Sequence, residues 1–228
     1  MKRVIVLSFG GSLINLNDLD VRYLKNFKKI ILNYSKKFKF VIVCGGGVIA
    51  RKYIHGLKKL GVKSKFQDLS AISITRSNAR FMNYFFNLDP KKGIPDSTKA
   101  VKEYMKTNDI IFCGALEYKP GQTTDTPASE LARDFKTIFI NLTNVSGLYN
   151  KNPKKHKDAK LIPQISWKDF RKITNKIKFK SGQNFVLDQK SSKIIEENKI
   201  PTYLIGKDLK QLENILNEKE FKGTLIKD

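Results

Sequence analysis

The sequence predicts an α/β fold, a three-layer α/β/α sandwich with a mainly parallel central sheet. Short apolar runs alternate with amphipathic stretches along the chain, the order that βαβ crossovers impose. Three of the apolar runs end directly in glycine, at Gly10, Gly45 and Gly114. No repeat and no Pro/Gly/Ser-rich linker interrupts the 228 residues. That length suits one domain or two tightly joined lobes.

The elements follow in order. Val4 to Phe9 is an apolar strand ending in Gly10-Gly11. After Asp20, Val21, Leu24, Phe27, Ile30, Ile31 and Tyr34 recur at spacings of three and four, which predicts a helix. Phe40 to Cys44 is a second buried strand, ending in Gly45-Gly46-Gly47. Ala50 to Leu60 reads as a helix closed by Gly61, and Phe66 to Phe86 as a longer one. Ile110 to Cys113 is a strand followed by Gly114. Thr126 to Phe135 is helical, Thr137 to Leu142 a strand, and Lys151 to Lys160 a polar loop. Ser166 caps a short helix containing Trp167 and Phe170. Asp188 to Asn198 is helical, Thr202 to Ile205 a strand, Leu209 to Leu216 a helix, and Thr224 to Ile226 a last edge strand.

Composition narrows the class. An apolar fraction of 40% with 15 Phe describes a globular chain with a real core. No run approaches the roughly 18 apolar residues that a membrane span needs. The N-terminus enters a strand at once, so no secretory signal is read. The two cysteines, Cys44 and Cys113, each end an apolar run and read as buried free thiols in a reducing cytoplasm. The formal charge is +23, but the lysines are spread along the chain rather than gathered into an arm. Biased composition accounts for that better than a nucleic-acid-binding patch, although a positive field would speed nucleotide capture.

In parallel sheets, ligands bind beyond the carboxyl ends of the strands, where these glycine turns fall. Gly10-Gly11-Ser12 lets backbone N–H groups approach an anion, and Ser12 adds a hydroxyl. Gly45-Gly46-Gly47 is the stronger signal. Three glycines carry a heavy entropic cost, and they open into a helix bearing Arg51, a natural phosphate cradle. Pro120-Gly121-Gln122-Thr123-Thr124-Asp125 leads into a further helix, where Thr123 and Thr124 serve as caps or as phosphate ligands, the simpler role being capping by Thr124 or Asp125. Two other nucleotide motifs are excluded. The run from Gly56 to Ser64 fails as a P-loop because Val62 separates Gly61 from Lys63, and no G-x-G-x-x-G follows a strand.

Taken together, these residues resemble the amino-acid kinase superfamily, and within it the archaeal type of uridylate (UMP) kinase. Val6-Leu7-Ser8-Phe9-Gly10-Gly11-Ser12 and Cys44-Gly45-Gly46-Gly47 through Arg51 look like the two N-terminal phosphate loops. Ile74-Thr75-Arg76-Ser77-Asn78-Ala79 is similar to a helix that marks the archaeal enzymes. The loop from Pro120 to Asp125 is similar to their acceptor loop. Thr143-Asn144-Val145-Ser146-Gly147-Leu148-Tyr149 with Asn152-Pro153 is similar to their ATP-binding stretch. The resemblance spans the chain in order. It implies transfer of the ATP γ-phosphoryl group to UMP with Mg2+, in a homohexamer built as a trimer of dimers. It also implies an acceptor lobe over about 1–136 and an ATP lobe over about 137–228. Carried over by position, Gly46, Asp68, Tyr118, Lys119, Pro120, Gly121, Gln122, Thr123 and Thr124 would contact UMP. Gly11, Ser12, Gly47 and Arg51 would surround the transferring group, with Thr143, Asn144, Tyr149 and Asn152 holding the rest of ATP. Asp188 matches an acidic position near the phosphates, with helix N-capping as the simpler role. No protein-supplied metal ligand is assigned.

The chain departs from the superfamily at Ser8 and Phe185, where lysines are common, and at Ser146 and Asn152, where aspartates are usual. The transition-state cation is therefore open, with Arg51 first and Lys119 and Lys154 behind it. The rival readings are another kinase of the superfamily, acting on isopentenyl phosphate or acetylglutamate, and a non-catalytic nucleotide- or RNA-binding relative. A histidine close behind the glycine triplet would mark the isopentenyl phosphate enzymes; here His55 lies a helical turn further on.

Overall fold

The computed structural model describes residues 2–14, 18–120, 122–151, 153, 155–176 and 187–228. Seven strands among these form one sheet: β1 (Arg3–Phe9), β2 (Phe38–Cys44), β3 (Ile110–Cys113), β4 (Phe139–Leu142), β5 (Gln164–Ile165), β6 (Thr202–Ile205) and β7 (Thr224–Ile226). Their order is β3-β2-β1-β4-β6-β7-β5. Every pairing is parallel except that of β6 with β7. The sheet is thus mainly parallel, as the alternating pattern predicts.

Buried on both faces, β1 shows why. Ile5, Leu7 and Phe9 enter one apolar cluster, and Val6 enters the other. That is the period-2 alternation of a strand covered twice. The first cluster takes α2 (Val21–Tyr34), α4 (Ser64–Phe85) and α9 (Leu209–Leu216). The second takes α5 (Thr98–Thr107), α6 (Asp125–Asp134), α7 (Trp167–Asn175) and α8 (Gln189–Glu197). Fully buried side chains such as Phe27, Phe40 and Phe170 each contribute roughly 1.5–3 kcal/mol relative to exposure. Among the described residues no helix is long and apolar enough to cross a membrane.

The helices start where side chains satisfy their free N–H groups. Asp20 accepts from the Tyr23 N–H at 3.0 Å, Ser166 from the Asp169 N–H at 3.0 Å, and Asp188 from the Ser191 N–H at 2.7 Å. The short helix α1 (Gly11–Ile14) and the longer α3 (Gly47–Lys59) leave directly from the first two glycine turns.

Three details depart from expectation. Thr224–Ile226 is a strand but not an edge, because β5 pairs outside it. β5, only two residues long, carries no readable periodicity. The helix α5, over a Lys-rich stretch, fills the gap between α4 and β3. Cys44 and Cys113 are buried and free. Burial pushes the Cys113 thiol up to about 12 and the Cys44 thiol well above its ordinary value.

Candidate active site

The carboxyl ends of β1, β2, β3 and β4 deliver four loops to one edge of the sheet. The ladder continues into them: Gly45 N–H donates to the Phe9 carbonyl at 2.9 Å, and Gly10 N–H to the Leu142 carbonyl at 2.9 Å. The two glycine loops then nest back to back. A Cβ on Gly11 would lie 2.2 Å from the Gly47 nitrogen and 2.5 Å from the Gly45 oxygen, so only glycine fits there. Gly47 adopts φ of 65°, a left-handed conformation that turns the chain into α3. Nested glycines of this kind present backbone N–H groups to an anion.

The string from Ile74 to Ala79 lies on α4 and fastens two of these loops. Asn78 Nδ2 donates to the Gly45 carbonyl at 2.7 Å, in a buried position. Thr75 Oγ1 accepts from the Ala115 N–H at 2.9 Å. The Arg76 guanidinium donates to the Ala115 carbonyl at 3.2 Å and also to the Leu116 carbonyl. A helix singled out by its sequence thus holds both the glycine triplet and the start of the loop after β3.

That loop is held at its other end from α6 and α8. Lys119 pairs with Glu130 at 2.9 Å, and Lys190 donates to the Pro120 carbonyl at 2.5 Å. Thr123 donates to Asp188 Oδ2 through its N–H at 3.1 Å and through its hydroxyl at 2.7 Å. Beside it, Asp125 accepts from Ser8 Oγ at 2.9 Å, from Thr123 Oγ1 at 3.2 Å and from Asn141 Nδ2 at 3.5 Å. All three partners are neutral. Burial, and next the Asp188 carboxylate, push the Asp125 carboxyl up to about 7, and the Ser8 and Thr123 hydrogen bonds only partly offset that.

These loops enclose a cleft of about 630 Å3, a volume typical of small-molecule sites. Of the residues expected around the transferring group, Gly11, Ser12, Gly47 and Arg51 line it. Of those expected at the acceptor, Gly46, Asp68, Tyr118, Lys119, Gln122, Thr123 and Thr124 line it. Thr143, Asn144 and Tyr149, expected at ATP, line the same cleft. Pro120 is exposed and does not line the wall, and Asp188 stands behind Thr123 as the cap of α8. Gly121, Asn152, Lys154 and Phe185 lie outside the described residues.

Ser8 and Asp125 were singled out from the sequence, but not Asn141, and not that the three form the floor of the cleft. Ser8, Asn141 and Asp125 meet there, and Ser8 and Asn141 are register partners on β1 and β4. One signal was available: Ser8 and Asn141 are each a polar residue inside an otherwise apolar strand. Glu117 also lines the cleft and was not singled out.

Comparison with known proteins agrees with this geometry. The model of the amino acid kinase family matches residues 3–206. A uridylate kinase of Archaeoglobus fulgidus is 34% identical over 97% of this chain and 99% of its own length. One from Thermoplasma volcanium is 33% identical over 100% of this chain and 99% of its own. The crystal structure of the Archaeoglobus fulgidus uridylate kinase superposes with a TM-score of 0.82 at 32% identity, covering 99% of this chain and 100% of that one. The UMP kinase of Bacillus anthracis shares the fold, with a TM-score of 0.81 at 20% identity and coverage of 99% and 96%.

Proposed function

The chain belongs to the amino acid kinase family, and from that premise we propose that it is a uridylate kinase, transferring the γ-phosphoryl group of ATP to UMP and yielding ADP and UDP. The observation that carries this reading is the single cleft lined by both the acceptor set and the ATP set. Full-length similarity to archaeal uridylate kinases supplies the acceptor.

Phosphoryl transfer asks for alignment and for positive charge around a spread negative transition state. In our reading, Asp68 accepts hydrogen bonds from the UMP ribose hydroxyls. Gly46 and the loop from Tyr118 to Thr124 hold the UMP phosphate so that one of its oxygens faces the γ-phosphorus. The nested N–H groups of Gly11, Ser12 and Gly47 receive the transferring oxygens. Arg51, one helical turn into α3, adds the guanidinium charge. Thr143, Asn144 and Tyr149 hold adenosine and the inner phosphates. Asp188 serves from behind the wall.

Mg2+ is proposed as the metal accompanying ATP. The donor chemistry fits: Asp125 is a cleft-floor carboxylate whose hydrogen-bond partners among the described residues are neutral, and Mg2+ is commonly held by one or two carboxylates besides phosphate oxygens. Bound there, Mg2+ would neutralise charge on the β- and γ-phosphate oxygens. We further propose a cytoplasmic enzyme, supported by its free buried thiols, and a homohexamer. Ile49 and Tyr53, exposed on α3, and Leu60 at its C-cap offer apolar contact area for assembly; a monomer by sedimentation would refute it.

The isopentenyl phosphate alternative finds no support at the cleft, where His55 is exposed and absent from the wall. Turnover of Mg-ATP with UMP, CMP, AMP, GMP and isopentenyl phosphate side by side tests the proposal. UDP formation at a rate well above every other product is expected. Preference for another acceptor would overturn it.

A further inference from the structure

Asp188 makes more hydrogen bonds than capping requires. Its Oδ1 caps α8 through the Ser191 N–H, yet Thr126 Oγ1 also donates to both carboxylate oxygens, at 2.8 and 2.9 Å. Oδ2 in turn takes both donors of Thr123. Thr126 is fully buried in the first turn of α6 and does not line the cleft. Asp188 is itself 2% exposed, and all of these donors are neutral. A buried carboxylate of this kind keeps one orientation only while its donors hold it.

At the far end of the loop after β3, three ties are seen among the described residues, and two come from α8 and its cap: Asp188 at Thr123 and Lys190 at Pro120, the third being Lys119 with Glu130 of α6. The position of α8 relative to α6 therefore sets where Thr123 stands in the cleft. Apolar packing of Ala128, Leu131 and Ala132 against Ile195 brings the two helices together, and Thr126 adds the polar tie, because its hydroxyl joins the start of α6 to the cap of α8. We propose that Thr126, acting through Asp188, is a positioning residue for the phosphoryl acceptor: it braces Thr123 and so tunes the acceptor end of the cleft while leaving the ATP end unchanged. The placement of the acceptor at this loop rests on the uridylate kinase reading.

The test compares the full-length parent with Thr126→Val, which keeps shape and removes the hydroxyl, and Thr126→Ser, which restores it. A loop displaced by a fraction of an ångström loses acceptor binding, so Thr126→Val raises KM for UMP about tenfold while KM for ATP stays within about twofold. Thr126→Ser returns both to parent values. In ligand-free protein, hydrogen exchange of the Thr123 amide, the donor to Asp188, quickens about tenfold in Thr126→Val and recovers in Thr126→Ser. Parent-like KM for UMP together with parent-like exchange in Thr126→Val would overturn the brace, as would an equal rise in both KM values. A parent without UMP turnover would sink the uridylate kinase reading instead, and the exchange measurement would still decide the brace.

Discussion

Replacing Asp125 by Asn should stabilise the protein above neutral pH while impairing it as an enzyme. The carboxyl has its ordinary value of 3.8 in the unfolded chain and about 7 in the folded one. Between those values the folded state binds the proton that the unfolded state has released. Folding stability from this group is therefore full at low pH and is lost as pH rises from about 4 through about 7. At about 1.4 kcal/mol per pH unit, the full loss is about 4 kcal/mol. Water in the open cleft screens the charge and brings the expected value to roughly 2–4 kcal/mol. Asn carries no charge, so the stability difference between Asp125→Asn and the parent should grow by that amount between pH 4 and pH 8. Urea unfolding of both proteins in metal-free buffer at each pH measures it, and the comparison cancels titrations common to both. A difference that stays flat across the window, or a variant that loses ground as pH rises, would refute the assignment of a desolvated carboxylate to the cleft floor. Turnover of Asp125→Asn should fall, since the proposed metal would lose its cleft-floor carboxylate.

Two further substitutions probe the phosphate loops. Arg51→Ala should lower kcat/KM for UMP by about 100-fold or more, and Arg51→Lys should recover only part of it, because a point charge does not reproduce the planar fork; steady-state kinetics with both substrates varied decides this. Asn78→Leu leaves the buried Gly45 carbonyl without that donor and should cost about 1–3 kcal/mol of stability, read as a lower denaturation midpoint with an unchanged slope.

The strands that carry the site were legible because each is an apolar run ending in glycine or at a polar turn, and the core strand β1 alternates between two clusters. The caps at Ser166 and Asp188 were legible for the same local reason, a side-chain oxygen ahead of a periodic run. The helix α5 was passed over although Val101, Tyr104 and Met105 keep helical spacing, because lysines dilute a stretch of only ten residues. The position of β7 inside the sheet was not legible, since neighbour order is decided by tertiary pairing and not by the strand's own residues. At the site, the glycine loops and Arg51 could be read as a phosphate cradle from residue type alone. The contact of Asp125 with Ser8 could not, because 117 residues separate them. Asp188 looked like a cap and is one, but its grip on Thr123 and Thr126 emerges only when α8 packs against α6.

Phosphorus NMR of the protein mixed with Mg-ATP and UMP decides whether UMP is the phosphoryl acceptor, because it follows the γ-phosphorus to its destination. The ATP γ resonance should decline as the β resonances of UDP and ADP grow in step, with little inorganic phosphate. Release of inorganic phosphate without UDP, or an unchanged spectrum under conditions where both nucleotides bind, would contradict the assignment of UMP as acceptor.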